Sequence, residues 1–339
     1  MQKTRFAIIG CGRIAERHAM HIHTYGQLVA VCDIVESKAK KLAGKYGVDY
    51  FLSIEELLAN KAGIDVVVIC SPNGLHANHA IQAMRKGYHV LVEKPMAITS
   101  ADCEAMIRVA AESGRHLFTV VQNRFNPPVL AVKKALDEGM FGKLYSIQLT
   151  CFWNRDAAYY KDSWKGSKAL DGGVLFTQFS HFIDLLYWFF GDIKTVYAIT
   201  KNAAHNGIIE FEDCGAVTIE FANNIIGTIN FSINSFDKNR EGSLTILGEK
   251  GTVKIGGEYL NTIAYQQFET GSLDCTGEAK EVNDYGTYKG SMSNHDKVYD
   301  SLVNTLQNGT TFYADPLEGL KTVEIIERIY QSAQSNKTS

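Results

Sequence analysis

Lys94 ends a short apolar run, Val90-Leu91-Val92, with Glu93 before it and Pro95 after it. Such a run reads as a buried parallel strand. A carboxylate, an amine and a rigid ring are an unusual way to close a core element. In open α/β sheets ligands bind beyond the carboxyl ends of the strands, so Lys94 is expected to face a site. An amine there can donate to an oxygen that gains negative charge, or accept a proton once desolvated. Taken alone, the stretch also fits an exposed lysine in a strand-to-helix loop. The second candidate is His181, in Trp164–Asp184 (WKGSKALDGGVLFTQFSHFID). A helix from about Val174 puts Thr177 and His181 on one face, with Asp184 three residues on to orient the ring. Imidazole titrates near neutral pH, at about 6.5, and suits proton transfer. A satisfied core histidine is the other reading of the same pattern.

The elements before Lys94 look built to hold a cofactor. Gly10-Cys11-Gly12-Arg13-Ile14-Ala15 is a G-x-G-x-x-A loop between an apolar strand at Arg5–Ile9 and a helix. Gly10 permits the tight turn, Gly12 lets the backbone approach a pyrophosphate, and Ala15 lets the helix pack on the sheet. The N–H groups of Arg13 and Ile14 then face the phosphates. Asp33 ends the second strand, where a carboxylate accepts from both ribose hydroxyls and repels a 2′-phosphate, so NAD is expected over NADP. The same acid could instead cap the following helix. Strand–helix alternation continues through Asp65–Cys70 and His116–Gln122. It implies a doubly wound parallel sheet whose strand ends, Ser71-Pro72-Asn73, Glu93-Lys94-Pro95 and Gln122–Arg124, rim one crevice. Ser71, Pro72, Asn73, His76, Glu93, Lys94 and Gln122 complete the expected cofactor contacts. His18, His21 and His23, and the pair His76 and His79, read as helix-face histidines, and no metal is expected.

After Asn126-Pro127-Pro128 the pattern changes. A helix to about Gly139 leads into segments of period two at Leu144–Cys151, Ala216–Phe221 and Ile225–Ser232, the last two joined by Asn223-Asn224. Two more strands flank Gly248–Gly251, and helices return at Asn294–Gln307 and Pro316–Ser332. The expected architecture is α/β: an N-terminal doubly wound parallel sheet at 1–123 that binds NAD, then an α+β domain on a mostly antiparallel sheet at 124–332. The C-terminal helix could pack back on the first domain, and 333–339 should fray. The second domain would take substrate and, through its open sheet face, a second copy in a homodimer or homotetramer. The loop at Trp153, Asn154, Arg155, Tyr159, Tyr160, Lys161 and Trp164 offers stacking rings and anion-binding cations.

Composition narrows the partners. The 339 residues are 45% hydrophobic and 21% charged, with a net charge of −3 and no basic block. Nucleic acid and anionic membrane surfaces are therefore not expected. No apolar run reaches membrane-spanning length. Met1-Gln2-Lys3-Thr4 leads straight into a strand and reads as no signal peptide. Seven scattered cysteines without C-x-x-C spacing fit reduced thiols in a cytoplasmic protein.

By Gly10–Ala15, Ser71-Pro72-Asn73, Glu93-Lys94-Pro95 and the glycine-then-histidine helix at His181, the chain resembles the glucose-fructose oxidoreductase / inositol dehydrogenase (Gfo/Idh/MocA) family. The resemblance implies a Rossmann domain, an α/β substrate domain, bound NAD(P) and hydride transfer to or from a sugar or polyol. Lys94 and His181 would be catalytic. Where the common family helix has an aspartate four residues before its histidine, this chain has Thr177, followed by Gln178. Leu175–His181, Asn123–Pro127 and Phe152–Arg155 look like the branch of UDP-N-acetylglucosaminuronate 3-dehydrogenases. On that resemblance His181 takes the hydroxyl proton and Lys94 steadies the alkoxide, or the two exchange roles. Thr177 fixes substrate or imidazole by a hydrogen bond, and Arg124, Asn154, Arg155, Trp164, Thr177 and Gln178 meet the substrate. Three other readings remain: a dehydrogenase of a free sugar, inositol or sugar acid; a glycosidase that uses NAD transiently; and a non-catalytic NAD-binding regulator.

Overall fold

The structure, a computed structural model, describes residues 3–59, 63–275, 282–284 and 289–336. In chain order the first elements are β1 (Arg5–Ile9), α1 (Arg13–Tyr25), β2 (Gln27–Cys32), α2 (Glu36–Tyr46), β3 (Asp49–Phe51), α3 (Ile54–Ala59), β4 (Val66–Ile69), α4 (His76–Arg85), β5 (His89–Val92), α5 (Ser100–Ser113) and β6 (Leu117–Thr119). The strands pair in the order β3-β2-β1-β4-β5-β6, all parallel. The order reverses between β1 and β4, the switch point of a doubly wound sheet. Val66–Ile69 is fully buried, as a strand covered on both faces requires. Thr99 caps α5 by accepting from Asp102 N–H, and Gly114 ends it in the left-handed region.

The following elements are α6 (Pro127–Asp137), β7 (Leu144–Phe152), α7 (Ala157–Tyr160), α8 (Val174–Thr177), α9 (Ser180–Phe190), β8 (Ile193–Lys201), β9 (Cys214–Phe221), β10 (Ile226–Ser232), β11 (Glu241–Gly248), β12 (Gly251–Gly256), β13 (Thr262–Phe268), β14 (Val282–Asp284) and β15 (Lys289–Met292). Helices α10 (His295–Asn308) and α11 (Pro316–Ser335) close the chain. Seven strands pair in the order β13-β12-β11-β7-β10-β9-β8. All neighbours are antiparallel except β7 and β10. Period-two alternation sends Ile147, Leu149, Val217, Ile219, Ile229, Leu244 and Ile246 to one buried face. Helix α9 lies close against this sheet: a Cβ on Gly242 would come within 2.9 Å of the Phe182 ring. Strands β8, β13, β14 and β15 are additions to the sequence reading.

The chain forms two compact units, Met1–Val121 with His295–Val323, and Gln122–Asn294 with Glu324–Ser339. The sequence places 124–332 in one domain. The structure groups His295–Val323 with the first unit, because α10 seats His295 and Tyr299 against His18 of α1. Helix α11 continues to Ser335, past the expected start of fraying, and 337–339 lie outside the described residues. None of the seven cysteines is in a disulfide. Among the described residues no helix is long and apolar enough to cross a membrane.

Candidate active site

In the first unit the glycine loop is held from both sides. Gly10 has φ +91°, and a Cβ on it would lie 2.6 Å from the Cys70 carbonyl group, so no other residue fits without shifting the loop. Gly12 differs: a Cβ there meets nothing within 4 Å. It opens α1 without a side-chain cap, and the first turn of a helix, here at Arg13 and Ile14, directs N–H groups towards an anion. Asp33 Oδ2 accepts from Cys11 N–H and Oδ1 from Val35 N–H, each at 2.8 Å. A carboxylate has about four acceptor positions, so this one keeps room for two ribose hydroxyls. These features fit a dinucleotide, with Gly12, Arg13 and Ile14 at the pyrophosphate and Asp33 at the ribose. Burial beside Asp33 pushes the Cys11 thiol up to about 12, which keeps it neutral in that loop.

The strand ends that follow are tied to one another. His76 is fully buried, with Nδ1 2.8 Å from the Pro95 carbonyl oxygen and Nε2 2.9 Å from that of Ser71. Both ring nitrogens are spent on backbone, so His76 joins the Ser71 turn to the Lys94–Pro95 turn, whose peptide bond is cis. Ser71 Oγ bonds His79 Nδ1 at 2.9 Å, and Asn73 is buried.

Glu93 turns inward. Its Oε1 accepts from His18 Nε2 at 2.8 Å, and its Oε2 accepts from the Lys94 backbone N–H at 3.1 Å. His18 Nδ1 in turn lies 2.7 Å from the Tyr299 hydroxyl, and His295 Nε2 stands 3.5 Å from the carboxylate. His18 and His295 are fully buried, so the helix-face reading of His18 is corrected: its ring is a core group holding the strand end behind Lys94.

In the second unit His181 is 3% exposed, at the head of α9. The Gln122 amide nitrogen lies 3.3 Å from His181 Nε2 and donates to Ser291 Oγ at 3.1 Å. Gln122, expected at the cofactor, therefore sits beside the imidazole. The single helix expected from Val174 is broken into α8 and α9 at Gln178 and Phe179. Phe179 turns in among Trp153, Phe182 and Phe231, which takes Thr177 out of helical register with His181. Thr177 instead donates its hydroxyl to Asp171, a fully buried carboxylate that also accepts from Gly166 N–H at 2.8 Å. Asp184, expected to orient the imidazole, accepts from Arg124 Nε at 2.8 Å and Nη2 at 2.6 Å. Arg124 is 1% exposed and spends its charge there, beneath Trp188.

Arg155 is buried with its guanidinium 5.1 Å from the ring centres of both Trp153 and Tyr159, and it donates to Asn239 Oδ1 at 3.2 Å. Asn154 donates to the Ser235 carbonyl, Gln178 to the Tyr159 hydroxyl, and Lys165 lies over Trp164 and Tyr159. Tyr159, Trp164 and Arg155 thus belong to one aromatic-cationic cluster. The sequence reading missed Asn239, His205 and Asp213. His205 Nε2 bonds the Arg155 carbonyl at 2.8 Å, and its Nδ1 lies 3.1 Å from Asp213 Oδ2. No local motif marks them; their only signal is the contact.

Residues 4–121 match the oxidoreductase family model with an NAD-binding Rossmann fold, and residues 133–339 match that family's C-terminal alpha/beta domain. The WlbA dehydrogenase of Chromobacterium violaceum, solved with NADH and UDP-GlcNAcA, is 34% identical over 99% of this chain and 95% of its own, with a TM-score of 0.90. The WlbA dehydrogenase of Bordetella pertussis, solved with the same ligands, is 34% identical over 99% and 98%, with a TM-score of 0.89. The D-glucoside 3-dehydrogenase of Escherichia coli K12 is 24% identical over 98% of this chain and 95% of its own length. The chain belongs to the Gfo/Idh/MocA oxidoreductase family and is an NAD-dependent sugar dehydrogenase acting on a CH–OH group.

Proposed function

We propose that the protein oxidises the C3 hydroxyl of UDP-N-acetylglucosaminuronic acid. The observation that carries this reading is the full-length likeness, at 34% identity, to two dehydrogenases solved with NADH and UDP-GlcNAcA. The relative named a D-glucoside 3-dehydrogenase supports the choice of carbon.

NAD, which Gly12, Arg13, Ile14 and Asp33 would hold, would supply the acceptor for the substrate's hydride. His181 takes the hydroxyl proton as the carbon–oxygen double bond forms, and the Gln122 amide, beside Nε2, gives way to the substrate oxygen there. Lys94 donates to the same oxygen and steadies its developing charge. Arg155 is assigned the substrate's anionic group, because Arg124 is committed to Asp184. Asn154, Trp164 and Gln178 line the sugar, while Thr177 acts one step back, by fixing Asp171 at the turn before α8. The same reading has a second copy cover the outer sheet face that exposes Tyr197, Ile199, Ile226, Leu247 and Tyr265.

Purified protein and NAD would be offered UDP-N-acetylglucosaminuronic acid, UDP-N-acetylglucosamine, free sugars and inositols, with nicotinamide absorbance and product mass followed together. The expected result is NADH formation and loss of two hydrogens from the UDP-uronate alone. Turnover of an inositol or free sugar with none on the UDP-uronate overturns the reading. Release of UDP without net NADH points to the glycosidase instead.

A further inference from the structure

We propose that His18, His295 and Tyr299 are positioning residues that keep the Glu93 carboxylate charged at the root of Lys94 and so set the proton affinity of that amine. The proposal rests on the reading of Lys94 as the group at the reacting oxygen. Nothing in the hydride transfer itself uses these four side chains, yet they form a closed buried group. His18, Glu93 and His295 bring their nitrogen and oxygen atoms within 4.8 Å of one another. Tyr299 and both histidines are fully buried, and Glu93 is 6% exposed.

The donors and acceptors run in one direction. Burial holds the Tyr299 phenol well above its usual range, so its hydroxyl keeps the proton and donates to His18 Nδ1. That fixes the remaining ring proton on Nε2, which faces Glu93 Oε1 at 2.8 Å. Burial also lowers His18, so the ring stays neutral while donating. Burial alone would push the Glu93 carboxyl up. The hydrogen bond from His18 and the nearby ring of His295 outweigh it and hold Glu93 well below the carboxylate range. The other oxygen of this carboxylate holds the Lys94 backbone N–H at 3.1 Å. A fixed negative charge, itself buried, therefore lies at the backbone of the residue that carries the half-buried amine. The titratable groups that face Glu93 are His18 from α1, Cys70 from the end of β4, His76 from α4, and His295 and Tyr299 from α10. Cys70 is held neutral by burial, and burial lowers His76, so neither cancels the charge.

A negative neighbour favours the protonated amine. Lys94 is thereby kept as an ammonium donor to the substrate oxygen, and the proton acceptor is His181.

The test reads Lys94 directly. Lysines are reductively methylated with isotope-labelled formaldehyde, the Lys94 resonance is assigned by its loss in Lys94→Ala, and its titration is followed by NMR. Glu93→Gln should lower the Lys94 pKa by about one unit. His18→Leu should lower it in the same sense, Tyr299→Phe by less, and His18→Gln, which retains an N–H at the same reach, should restore it. Where His18→Leu fails to fold, Glu93→Gln and Tyr299→Phe carry the comparison. An unchanged Lys94 titration in Glu93→Gln overturns the proposal. So does a stoichiometric metal ion in the purified protein, because a cation would replace the His18–Glu93 hydrogen bond. Turnover of Lys94→Ala tests the underlying reading separately: full activity removes that reading, whereas a dead variant with an unshifted titration removes only the network.

Discussion

Asp184 accepts two hydrogen bonds from one guanidinium, from Arg124 Nε at 2.8 Å and Nη2 at 2.6 Å, and the two side chains are 3% and 1% exposed. The pair ties the segment after β6 to the buried helix that carries His181. Removing one partner strands a desolvated charge, which costs about 3–5 kcal/mol. Arg124→Ala and Asp184→Leu should each lower the unfolding free energy by that amount in urea titrations. Arg124→Met with Asp184→Leu should recover most of the loss, because an apolar pair leaves no charge unmatched. Additive single-site losses in the double variant would show that the two residues act independently.

Gly10 and Gly12 separate folding from binding within one loop. A methyl group at Gly10 collides with the Cys70 backbone at 2.6 Å and suffers a strained φ of +91°, so Gly10→Ala should lose both stability and NADH affinity. A methyl group at Gly12 touches nothing. If Gly12 lies at the pyrophosphate, Gly12→Ala should keep its melting temperature yet weaken NADH by about tenfold or more, because the added group would stand where the phosphates approach the backbone. Calorimetric melting and fluorescence titration with NADH check the two halves. Unaltered affinity in Gly12→Ala would contradict the phosphate assignment.

The tight turn at Gly10, with φ +91°, was legible in the sequence because the G-x-G-x-x-A spacing marks the strand-to-helix turn locally. The parallel sheet was legible for a similar reason, since strands such as Val66–Ile69 are apolar throughout. Other features depend on distant partners. His18 meets Tyr299 across 281 positions and Glu93 across 75, and nothing near His18 marks it as inward-facing. Arg124 looked like an open anion-binding residue because its counter-charge lies 60 positions on. Strand β8 escaped notice because its outer face carries Tyr197 and Ile199 while Thr200 is buried, the reverse of the usual pattern. The break between α8 and α9 was hidden because Phe179 fits an apolar helix as well as it fits the turn. Its inward position is decided by Trp153 and Phe231.

Asp33 makes a prediction about cofactor choice. Its two oxygens are fixed by Cys11 N–H and Val35 N–H, so the charge cannot swing away from a 2′-phosphate. Replacing it by alanine removes the repulsion and the ribose acceptor together. Asp33→Ala should lower kcat/KM with NAD and raise the NADP-to-NAD ratio by roughly tenfold or more. Steady-state kinetics with both nucleotides reads this directly, and an unchanged ratio would remove Asp33 from the ribose site.

Glu212 links pH to the head of the helices that carry Thr177 and His181. It is 7% exposed, and its Oε1 accepts from Val174 N–H at 3.2 Å and from the Tyr330 hydroxyl at 2.5 Å. Burial raises its pKa from 4.5 to about 7, more than these hydrogen bonds lower it. The folded protein therefore holds this proton more tightly than the unfolded chain between about pH 4.5 and 7. Stability falls as pH rises through that window and levels off above it, by about 3 kcal/mol in all from this group. Glu212→Gln keeps an acceptor for Val174 and Tyr330 but carries no charge at any pH. It should be more stable than the parent above pH 7, nearly equal to it below pH 5, and should remove this component of the slope between. Urea unfolding at pH 5 and pH 8 measures both ends. A variant destabilised equally at the two pH values would show that Glu212 is charged throughout and serves only as a hydrogen-bond acceptor.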